Sequence, residues 1–413
     1  MSQAKEMPGS VHQSLNICLI TETIRGIGGV ELVVRELAAD LVRRGHKVTV
    51  LTLDRGAACE AQYEQGYKHI QLRSLPTDRY VKRSGRSLLY AGFWLALCFK
   101  NSRLVDQIIR WIEDHEPDVI HTHKIRGYPL NLWQRIRAVH RGRLVHTCHD
   151  IELLSPRQSI PQRANVLNPL ARGSLHFWRR LSRSDSTAVD VVSAPSEFML
   201  GLHLEAGFFN QVPAKVIPNF AGLADSFALT PMREISGDER VRLLFVGRLV
   251  EVKGIELLCR AVIQHNRSAT GFCLRVAGDG PLREKVRAYS DRHEFIDYVG
   301  MALGPEKEAL FHWADVVATP SIYDEAFCIA AAEALSAGRP VLAGKRGALP
   351  ELVEDGVTGW IFSGEDAHDI ELGLRRIERD KSNLSEFSER CSVAAHRFSR
   401  PRVMRRYEDI FRR

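Results

Sequence analysis

The apolar and polar positions along the chain alternate between short strand patterns and longer amphipathic helix patterns. Residues 15–20 form an uninterrupted apolar run, residues 31–43 have helical periodicity and stop before Gly45, and residues 47–53 form a second strand pattern. A strand, a helix and a strand in this order predict a βαβ unit of a parallel sheet. Further strand patterns follow at 118–123, 143–149 and 189–195. The first half is therefore predicted to be a doubly wound α/β domain.

The second half repeats this alternation. Strands are predicted at 241–248, 272–278, 295–299, 315–319 and 340–343, with helices at 254–264, 305–313 and from Phe327 onward. The pattern predicts domains at 1–220 and 239–397, joined by a linker at 221–238. The tail, 398–413, places Val403, Tyr407, Ile410 and Phe411 on one helical face and is expected to pack back on the first domain. Parallel sheets bind ligands beyond the carboxyl ends of their strands, so a site is expected in the cleft between two facing sheets.

Composition narrows the class of protein. The chain of 413 residues is 45% hydrophobic and 26% charged, which is typical of a globular protein. Its net charge of +7 comes from residues 1–220, which carry 29 Lys and Arg against 20 Asp and Glu, or +9, while the remaining residues carry 28 against 30, or −2. A basic half suggests attraction to an anionic membrane surface, while the lack of aromatic platforms or a reading-helix signature argues against nucleic acid. With eight scattered cysteines and no signal-like N-terminus, we expect an intracellular protein without disulfides.

Two glutamates, Glu325 and Glu333, stand within an otherwise apolar stretch, 326–335. A carboxylate in such surroundings must lose water, at a cost of roughly several kcal/mol, unless hydrogen-bond donors meet it. A hydroxyl-rich ligand would supply these donors. The start of the helix near Phe327 also offers free N–H groups and a positive dipole end, which suit a phosphate.

Arg248 and Lys253 follow a predicted strand that ends at Gly247. Two cations at a strand end can converge on a diphosphate and neutralise the charge that grows on a leaving nucleotide. The alternative is a pair of solvated surface charges. Gly28 and Gly29 precede the first helix and would let a ligand approach the backbone closely.

Two nucleotide-binding motifs are disfavoured by the residues themselves. The segment around Gly26 and Gly28 has Glu31 where a dinucleotide fingerprint has its third glycine. The segment from Gly338 to Arg346 has the wrong spacing for a P-loop and an arginine where Ser or Thr would bind magnesium. A nicotinamide enzyme and a P-loop kinase or ATPase are therefore disfavoured.

Taken in order, these motifs resemble a retaining glycosyltransferase of family four. The resemblance rests on 28–31, His149-Asp150, 247–249 with 253–254, 278–283, Glu325 with Glu333, and 338–341, and it extends from about residue 15 to the C-terminus. It implies a GT-B fold, in which two Rossmann-like domains face each other across a cleft and a C-terminal helix crosses back to the first domain. It also implies transfer of a sugar from a nucleotide-sugar donor without an essential metal or cofactor.

The resemblance also implies roles for individual residues. Arg248 and Lys253 would bind the donor diphosphate, Glu325 the donor sugar hydroxyls and Glu333 the ribose hydroxyls, while His149 would lie beside the transferred sugar. The segment Phe327, Cys328 and Ile329 would contribute to donor binding together with Gly28 and Gly29. The family commonly has Gly-Phe-Gly after the first glutamate, whereas this chain has Ala326-Phe327-Cys328. Glycine permits dihedral angles that Ala and Cys resist, so the donor can be bound somewhat differently here. The identity of the donor is therefore less transferable from the family than the type of reaction.

The acceptor site is predicted from fewer residues. Lys124, Arg126 and Asp150 follow predicted strands and are candidates for binding an acceptor, and the arginine-rich stretch from Asp150 to Arg183 is expected to shape a pocket for an acceptor that carries phosphate. His121, His123 and His146 stand at neighbouring strand ends, but no fixed ligand spacing supports a metal cluster. Residues 88–99 form an apolar run flanked by basic residues, which would be either a membrane-interface segment or a buried helix.

The sequence therefore predicts a cytoplasmic, retaining, metal-independent glycosyltransferase, with the cytoplasmic face of the membrane as a candidate peripheral location. Its acceptor would be a glycan or a lipid-linked sugar in cell-surface polysaccharide or glycolipid synthesis. Three alternatives remain open on the same architecture: a nucleotide-sugar epimerase, a phosphorylase-like enzyme, for which no pyridoxal lysine is evident, and a non-catalytic nucleotide-sugar-binding protein.

Overall fold

The computed structural model divides into two compact units. The first contains 1–193, 202–215 and 408–413, and the second contains 194–201 and 216–407. The structure describes residues 13–26, 28–54, 62–73, 102–129, 131–154, 179–180, 182–221, 230–236, 239–268, 271–363 and 366–412. The apolar run at 88–99 lies outside these residues.

The first unit is built on an eight-stranded sheet. Its strands are β1 (Asn16–Ile20), β2 (Lys47–Asp54), β3 (Gln62–Glu64), β4 (Tyr67–Arg73), β5 (Val119–Thr122), β6 (Arg143–Thr147), β7 (Val191–Ala194) and β8 (Ala214–Val216). The order in the sheet is β3-β4-β2-β1-β5-β6-β7-β8. After β1 the chain builds the sheet outward in one direction, and from β5 onward it builds in the other. The switch of direction between β1 and β5 is where such sheets bind ligands.

The helices of the first unit flank this sheet in sequence. They are α1 (Gly29–Arg43), α2 (Ser102–His115), α3 (Leu132–Val139) and α4 (Glu197–Glu205), whose first residues belong to the second unit. The predicted βαβ unit is confirmed, because β1 pairs in parallel with β2 with Asn16 opposite Lys47. The hairpin of β3 and β4 was not predicted and is antiparallel.

The second unit is built on a six-stranded parallel sheet. Its strands are β9 (Val241–Val246), β10 (Phe272–Ala277), β11 (Ile296–Gly300), β12 (Val316–Thr319), β13 (Val341–Gly344) and β14 (Gly359–Phe362). The order is β11-β10-β9-β12-β13-β14, so the direction switches between β9 and β12. All five predicted strands of this half are present, each within two residues of its predicted ends. The core on the sheet includes Leu243, Leu274 and Trp360, each at most 1% exposed.

The helices of the second unit follow its strands. They are α5 (Ile255–His265), α6 (Arg283–Arg292), α7 (Gly304–Trp313), α8 (Ile329–Ser336), α9 (Leu349–Leu352), α10 (Ala367–Asp380), α11 (Leu384–Ala395) and α12 (Arg400–Arg412). The helix predicted near Phe327 is present as α8, which begins two residues later, at Ile329, with Cys328 as its N-cap. Phe327 precedes the helix in an irregular turn.

The described part of the predicted linker, 230–236, is bound to the second unit. Arg233 forms an ion pair with the buried Asp315, with 2.8 Å between Nη2 and Oδ2. The buried Arg339 donates to Thr230 Oγ1 at 2.7 Å and to the carbonyl oxygen of Phe311 at 3.0 Å. Arg339 thus holds this segment against α7.

The end of α12 belongs to the first unit, as the fold prediction requires. Glu408 accepts from His46 Nε2 and from Arg44 Nη1, both at 3.3 Å, and Arg143 donates to the carbonyl oxygen of Ile410 at 3.0 Å. The predicted apolar face is confirmed, since all four of its residues are buried: Val403, Tyr407, Ile410 and Phe411.

In the part of the chain that the structure describes, none of the helices combines the length and the apolar character that crossing a membrane requires.

Candidate active site

The segment that follows β12 holds Glu325 in a set of hydrogen bonds at the switch point of the second sheet. Lys253 Nζ lies 2.6 Å from Oε1 of Glu325, Ser321 Oγ lies 2.5 Å from the same oxygen, and the hydroxyl of Tyr323 donates to Oε2 at 2.6 Å. The expectation that a ligand must supply the donors for Glu325 was therefore wrong. Protein groups supply three of them, from Lys253 and from two residues of the segment that itself carries Glu325.

Lys253 reaches this carboxylate because of the turn that carries it. A short 3₁₀ helix, Glu251–Lys253, ends at Gly254, whose φ is +70°. A Cβ atom at Gly254 would overlap the carbonyl oxygen of Pro320. The N–H of Ile322 donates to the carbonyl oxygen of Val252 at 2.9 Å, so the loops after β9 and β12 are joined. Only glycine permits both the dihedral and the close approach that place Lys253 beside Glu325.

The Lys253–Glu325 pair keeps its charges inside a largely buried site. Burial by itself would lower the pKa of Lys253, but the carboxylate of Glu325 outweighs it, so the pKa of the ammonium group is raised. Burial, followed by the same carboxylate, raises the pKa of Tyr323 above its ordinary range. At neutral pH the site therefore contains the ammonium cation of Lys253 and the neutral phenol of Tyr323, which donates a hydrogen bond.

Glu325 keeps capacity for one further hydrogen bond. An ionised carboxylate has about four lone-pair positions. Lys253 and Ser321 occupy two positions on Oε1, and Tyr323 occupies one on Oε2. The remaining position on Oε2 suits a single hydroxyl group of a ligand.

The turn between Glu325 and α8 has an unusual backbone. Cys328 has φ of +74° and ψ of +83°, in a region that side chains other than glycine rarely occupy. Neighbouring groups fix this turn: Ser196 Oγ donates to the carbonyl oxygen of Ala326 at 2.7 Å, and the N–H of Ala348 donates to that of Glu325 at 2.8 Å. The backbone at position 328 thus adopts a conformation that favours glycine, and in this chain a cysteine adopts it.

Replacing Cys328 should reverse the usual order of stability, in which an alanine variant is more stable than a glycine variant. Cys328→Ala and Cys328→Gly both lose the sulfur atom, but only glycine relaxes the positive φ, which costs other residues about 1–2 kcal/mol. We expect Cys328→Gly to be more stable than Cys328→Ala by about 1 kcal/mol in urea unfolding. At Cys273, within β10, the same pair should show the opposite order, because glycine weakens a strand. Equal stability of the two Cys328 variants would contradict the strain.

Glu333 lies on α8 and is also partnered by the protein. Lys307, on α7, places its Nζ 2.6 Å from Oε1 of Glu333, and the two side chains are 14% and 3% exposed. Sequence analysis missed Lys307, because it carries no motif and lies on a separate helix. A ribose at Glu333 would have to share the carboxylate with this ammonium group.

The other predicted donor residues differ in their accessibility. Arg248 is exposed just beyond β9, and no hydrogen bond or ion pair joins its side chain to the residues described. The ring of Phe327 is 3% exposed and packs edge-on against Phe398, so the backbone, not the ring, is available to a ligand. Cys328 and Ile329 lead into α8, whose N-terminus has no capping side chain. The N-terminal N–H groups of α8 therefore remain suited to a phosphate.

In the first unit, His149 lies at the carboxyl edge of the sheet. Its Nε2 is 2.9 Å from Nδ1 of His123, and both rings are buried. Burial, and secondly the ammonium group of Lys124, lowers the pKa of His149 to about 3. Burial likewise lowers the pKa of His123 well below its ordinary value. His149 is therefore a neutral hydrogen-bonding group at physiological pH.

The predicted acceptor residues Lys124 and Asp150 lie at this same edge beside further carboxylates, while most of the arginine-rich stretch from Asp150 to Arg183 lies outside the described residues. Lys124 Nζ is 3.4 Å from Oε2 of the buried Glu22. Asp150 accepts from the N–H of Glu152 at 2.8 Å, and Oε1 of Glu152 accepts from that of Ile125 at 2.7 Å. Burial raises the pKa of both Asp150 and Glu152. Sequence analysis missed Glu22 and Glu152, whose position just past strand ends was the available signal.

Gly28 and Gly29 begin α1 as predicted, with Gly28 as the N-cap. A Cβ atom at Gly28 would overlap the carboxylate of Glu31, which folds back over the start of the helix. Arg126 is half-buried in the loop after β5. Across the described ranges, no group of three or more His, Cys, Asp or Glu side chains is placed to hold a metal ion.

Comparison with known proteins agrees with this architecture. The model for Glycosyltransferase Family 4 matches residues 27–224, and the model for Glycosyl transferases group 1 matches residues 208–397. A lipopolysaccharide 1,2-N-acetylglucosaminetransferase of Salmonella typhimurium is 28% identical over 302 residues, 68% of this chain and 77% of that protein. An uncharacterized 42.6 kDa protein in the cps region of Klebsiella pneumoniae is 24% identical over 362 residues, 88% of this chain and 92% of that protein.

Among solved structures, HepE of Anabaena in complex with UDP-glucose is similar in fold. Its TM-score is 0.67 at 18% identity, and the match covers 96% of this chain and 98% of that one. The two doubly wound units and the family matches together define an enzyme of the GT-B glycosyltransferase class. The chain is a glycosyltransferase whose first half matches the model for Glycosyltransferase Family 4 and whose second half matches the model for Glycosyl transferases group 1.

Proposed function

We propose that this glycosyltransferase uses a nucleotide-sugar donor, retains the anomeric configuration and needs no metal ion. The observation that carries the proposal is the Lys253–Glu325 pair at the switch point of the second sheet, with Tyr323 and Ser321 on the same carboxylate. Sequence relatives and a fold neighbour support the substrate classes: HepE was solved with UDP-glucose, and one relative acts on lipopolysaccharide. The acceptor is accordingly a glycan or a lipid-linked sugar of the cell surface.

In this proposal each charged group has one task. The ammonium group of Lys253 and the guanidinium group of Arg248 bind the diphosphate and stabilise the negative charge that develops when the sugar leaves. Glu325 holds Lys253 in its charged state and offers its open lone-pair position to a hydroxyl of the donor sugar. Glu333, with Lys307, binds the ribose. Fixed cations take the place that a divalent ion has in other transferases.

In the proposed stereochemical course, the leaving phosphate and the acceptor hydroxyl lie on the same face of the sugar. The bond from the anomeric carbon to the leaving phosphate breaks with oxocarbenium-like charge on the sugar. The leaving phosphate then accepts the proton of the acceptor hydroxyl, and the oxygen of that hydroxyl forms the new bond to the anomeric carbon on the same face. Retention of configuration results whether or not a short-lived covalent intermediate forms.

The test begins with binding and ends with the product. A thermal-shift screen of nucleotide-sugars, starting with UDP-glucose, should show stabilisation by one of them, since a ligand that binds only the folded state raises the unfolding temperature. NMR of the transfer product should then show the anomeric configuration of the donor. An inverted product would contradict the mechanism. Conversion of the nucleotide-sugar into its epimer without an acceptor would support the epimerase instead.

Removal of metal ions should leave the enzyme active. Because Lys253 and Arg248 supply the positive charge, we expect EDTA to change the initial rate of transfer by less than about twofold. The assay compares EDTA-treated protein with the same protein after magnesium or manganese is restored. A rate that collapses with EDTA and returns with manganese would overturn metal independence.

A further inference from the structure

Lys307 lies on the face of α7 that packs against the rest of the second unit. Leu310 and Phe311, three and four residues further along the helix, are 8% and 0% exposed, and residues at these spacings share one side of a helix. The side chain of Lys307 is itself only 14% exposed. Lysine is rarely buried unless its ammonium group is paired, so this position requires a specific partner.

Glu333 on α8 provides this partner. Nζ of Lys307 lies 2.6 Å from Oε1 of Glu333, whose side chain is 3% exposed. The residues on either side of it in the chain, Ala332 and Ala334, are both 0% exposed. A carboxylate in such apolar surroundings is costly to keep ionised without a cation beside it. The ammonium group of Lys307 therefore allows Glu333 to remain an anion inside the second unit.

The packing of the two helices does not depend on this ion pair. Leu310 and Phe311 of α7 belong to the same apolar cluster as Ala331 and Leu335 of α8. Replacing a buried ion pair by packed apolar residues is often neutral or stabilising, so stability alone does not account for the pair. What the pair supplies, and apolar residues would not, is an ionised hydrogen-bond acceptor in a fixed position.

We propose that Lys307 is a positioning residue for the donor: it holds the carboxylate of Glu333 ionised and oriented for the ribose, and so gives the enzyme its selectivity for nucleotides that carry both ribose hydroxyls. The inference rests on the proposed function, in which Glu333 binds the ribose, and deepens it. Hydrogen bonds to an ionised acceptor are roughly twice as strong as those to a neutral one. Loss of Lys307 therefore weakens the recognition of ribose hydroxyls more than that of any other part of the nucleotide.

The first test measures this selectivity by calorimetric titration of the full-length protein. The probes are UDP, 2′-deoxy-UDP and 3′-deoxy-UDP, or the same set with another base if the thermal-shift screen selects one. The wild-type protein should bind UDP at least about tenfold more tightly than the weaker deoxy analogue, the scale of one hydrogen bond to a charged group. In Lys307→Met this preference should fall to about twofold or less, and Lys307→Arg, which restores a cation, should recover most of it.

A double-mutant cycle decides whether Lys307 acts through Glu333. Glu333→Gln keeps the shape of the side chain but removes its charge, so it should lower the preference about as much as Lys307→Met. In the double variant the two effects should not add, because both substitutions remove the same interaction. The double variant contains no unpaired carboxylate, so it also serves if Lys307→Met alone does not fold. Lys285→Met, which breaks a lysine–glutamate pair on the surface of the same unit, should keep the wild-type preference.

Steady-state kinetics separate positioning from a merely structural role. The ribose contact is equally strong before and during the transfer step, so Lys307→Met should raise KM for the nucleotide-sugar about tenfold and change kcat by less than about threefold. A structural role would lower kcat through loss of folded enzyme and would leave the preference for UDP over its deoxy analogues unchanged.

Three results would overturn the inference: an equal loss of affinity for UDP and its deoxy analogues in Lys307→Met, an unchanged preference in the folded variants, or additive effects in the double variant. The first of these would mean that Lys307 contacts the base or the phosphates directly. If the wild-type protein binds no nucleoside diphosphate and no nucleotide-sugar, the proposed function itself has failed. If it binds them without discrimination, the role of Glu333 has failed and the inference with it. If it discriminates and Lys307→Met discriminates equally well, only the inference has failed.

Discussion

Lys253→Ala should lower the turnover number by about a hundredfold or more, the scale on which the loss of one charge-stabilising group acts. The ammonium group is held 2.6 Å from Glu325, and although burial would lower the pKa of Lys253, this carboxylate raises it, so the group is charged at neutral pH. Its removal takes away the cation that meets the leaving diphosphate. Steady-state kinetics with a saturating nucleotide-sugar would measure the change.

The variant also leaves the Glu325 carboxylate, 5% exposed, without its cation, so some loss of stability is expected in addition. Rates should therefore be measured well below the unfolding temperature of the variant. Lys285→Ala is a matched control, because Lys285 forms a lysine–glutamate pair with Glu256 at 3.2 Å on the surface of the same unit. Turnover of Lys253→Ala that equals that of Lys285→Ala would sink the catalytic assignment.

Glu325→Gln should produce a loss of similar size, with a distinctive dependence on pH. The substitution keeps the shape of the side chain but removes the charge that raises the pKa of Lys253, while the burial that lowers it remains. The pKa of Lys253 should therefore fall in the variant. Since deprotonation removes the cation, the residual activity should decline as the pH rises, whereas the wild-type enzyme keeps its ammonium group over the same range.

The measurement is the turnover number of both proteins from about pH 7 to about pH 10, where an ordinary lysine begins to titrate. Glu256→Gln provides the control, because it removes the carboxylate of the exposed pair with Lys285. Parallel pH profiles of Glu325→Gln and the wild-type enzyme would show that Glu325 does not govern the charge of Lys253.

The strands and the βαβ order were predictable because buried parallel strands are continuous apolar runs and their helices have a clear period. The β3–β4 hairpin was not, since its turn at Gln65 and Gly66 has φ of +47° and +89° but lacks the Asn or Asp that usually announces such a turn. The start of α8 was misplaced because Cys328, not a glycine, adopts the left-handed N-cap conformation. Local sequence gives no sign of a strain that the surrounding structure imposes.

The site was predictable where a motif marks it, as at Arg248, Lys253 and the two glutamates. The hydrogen bonds of the site were only partly predictable. Ser321 and Tyr323 could have been found as polar residues close to Glu325 in the sequence, within a segment that bends at 322 and 323. Lys307 and the acid-rich edge of the first sheet depend on contacts between distant segments, which no local pattern reveals.

The two lysine–glutamate pairs have a consequence for how the donor arrives. Lys253 and Lys307 are each matched by a carboxylate before any ligand binds, so of the cations considered for the donor only Arg248 adds uncompensated charge. The field that this part of the second unit presents to an approaching anion is therefore weak. Capture of the nucleotide-sugar depends on fit at short range and should be nearly insensitive to ionic strength.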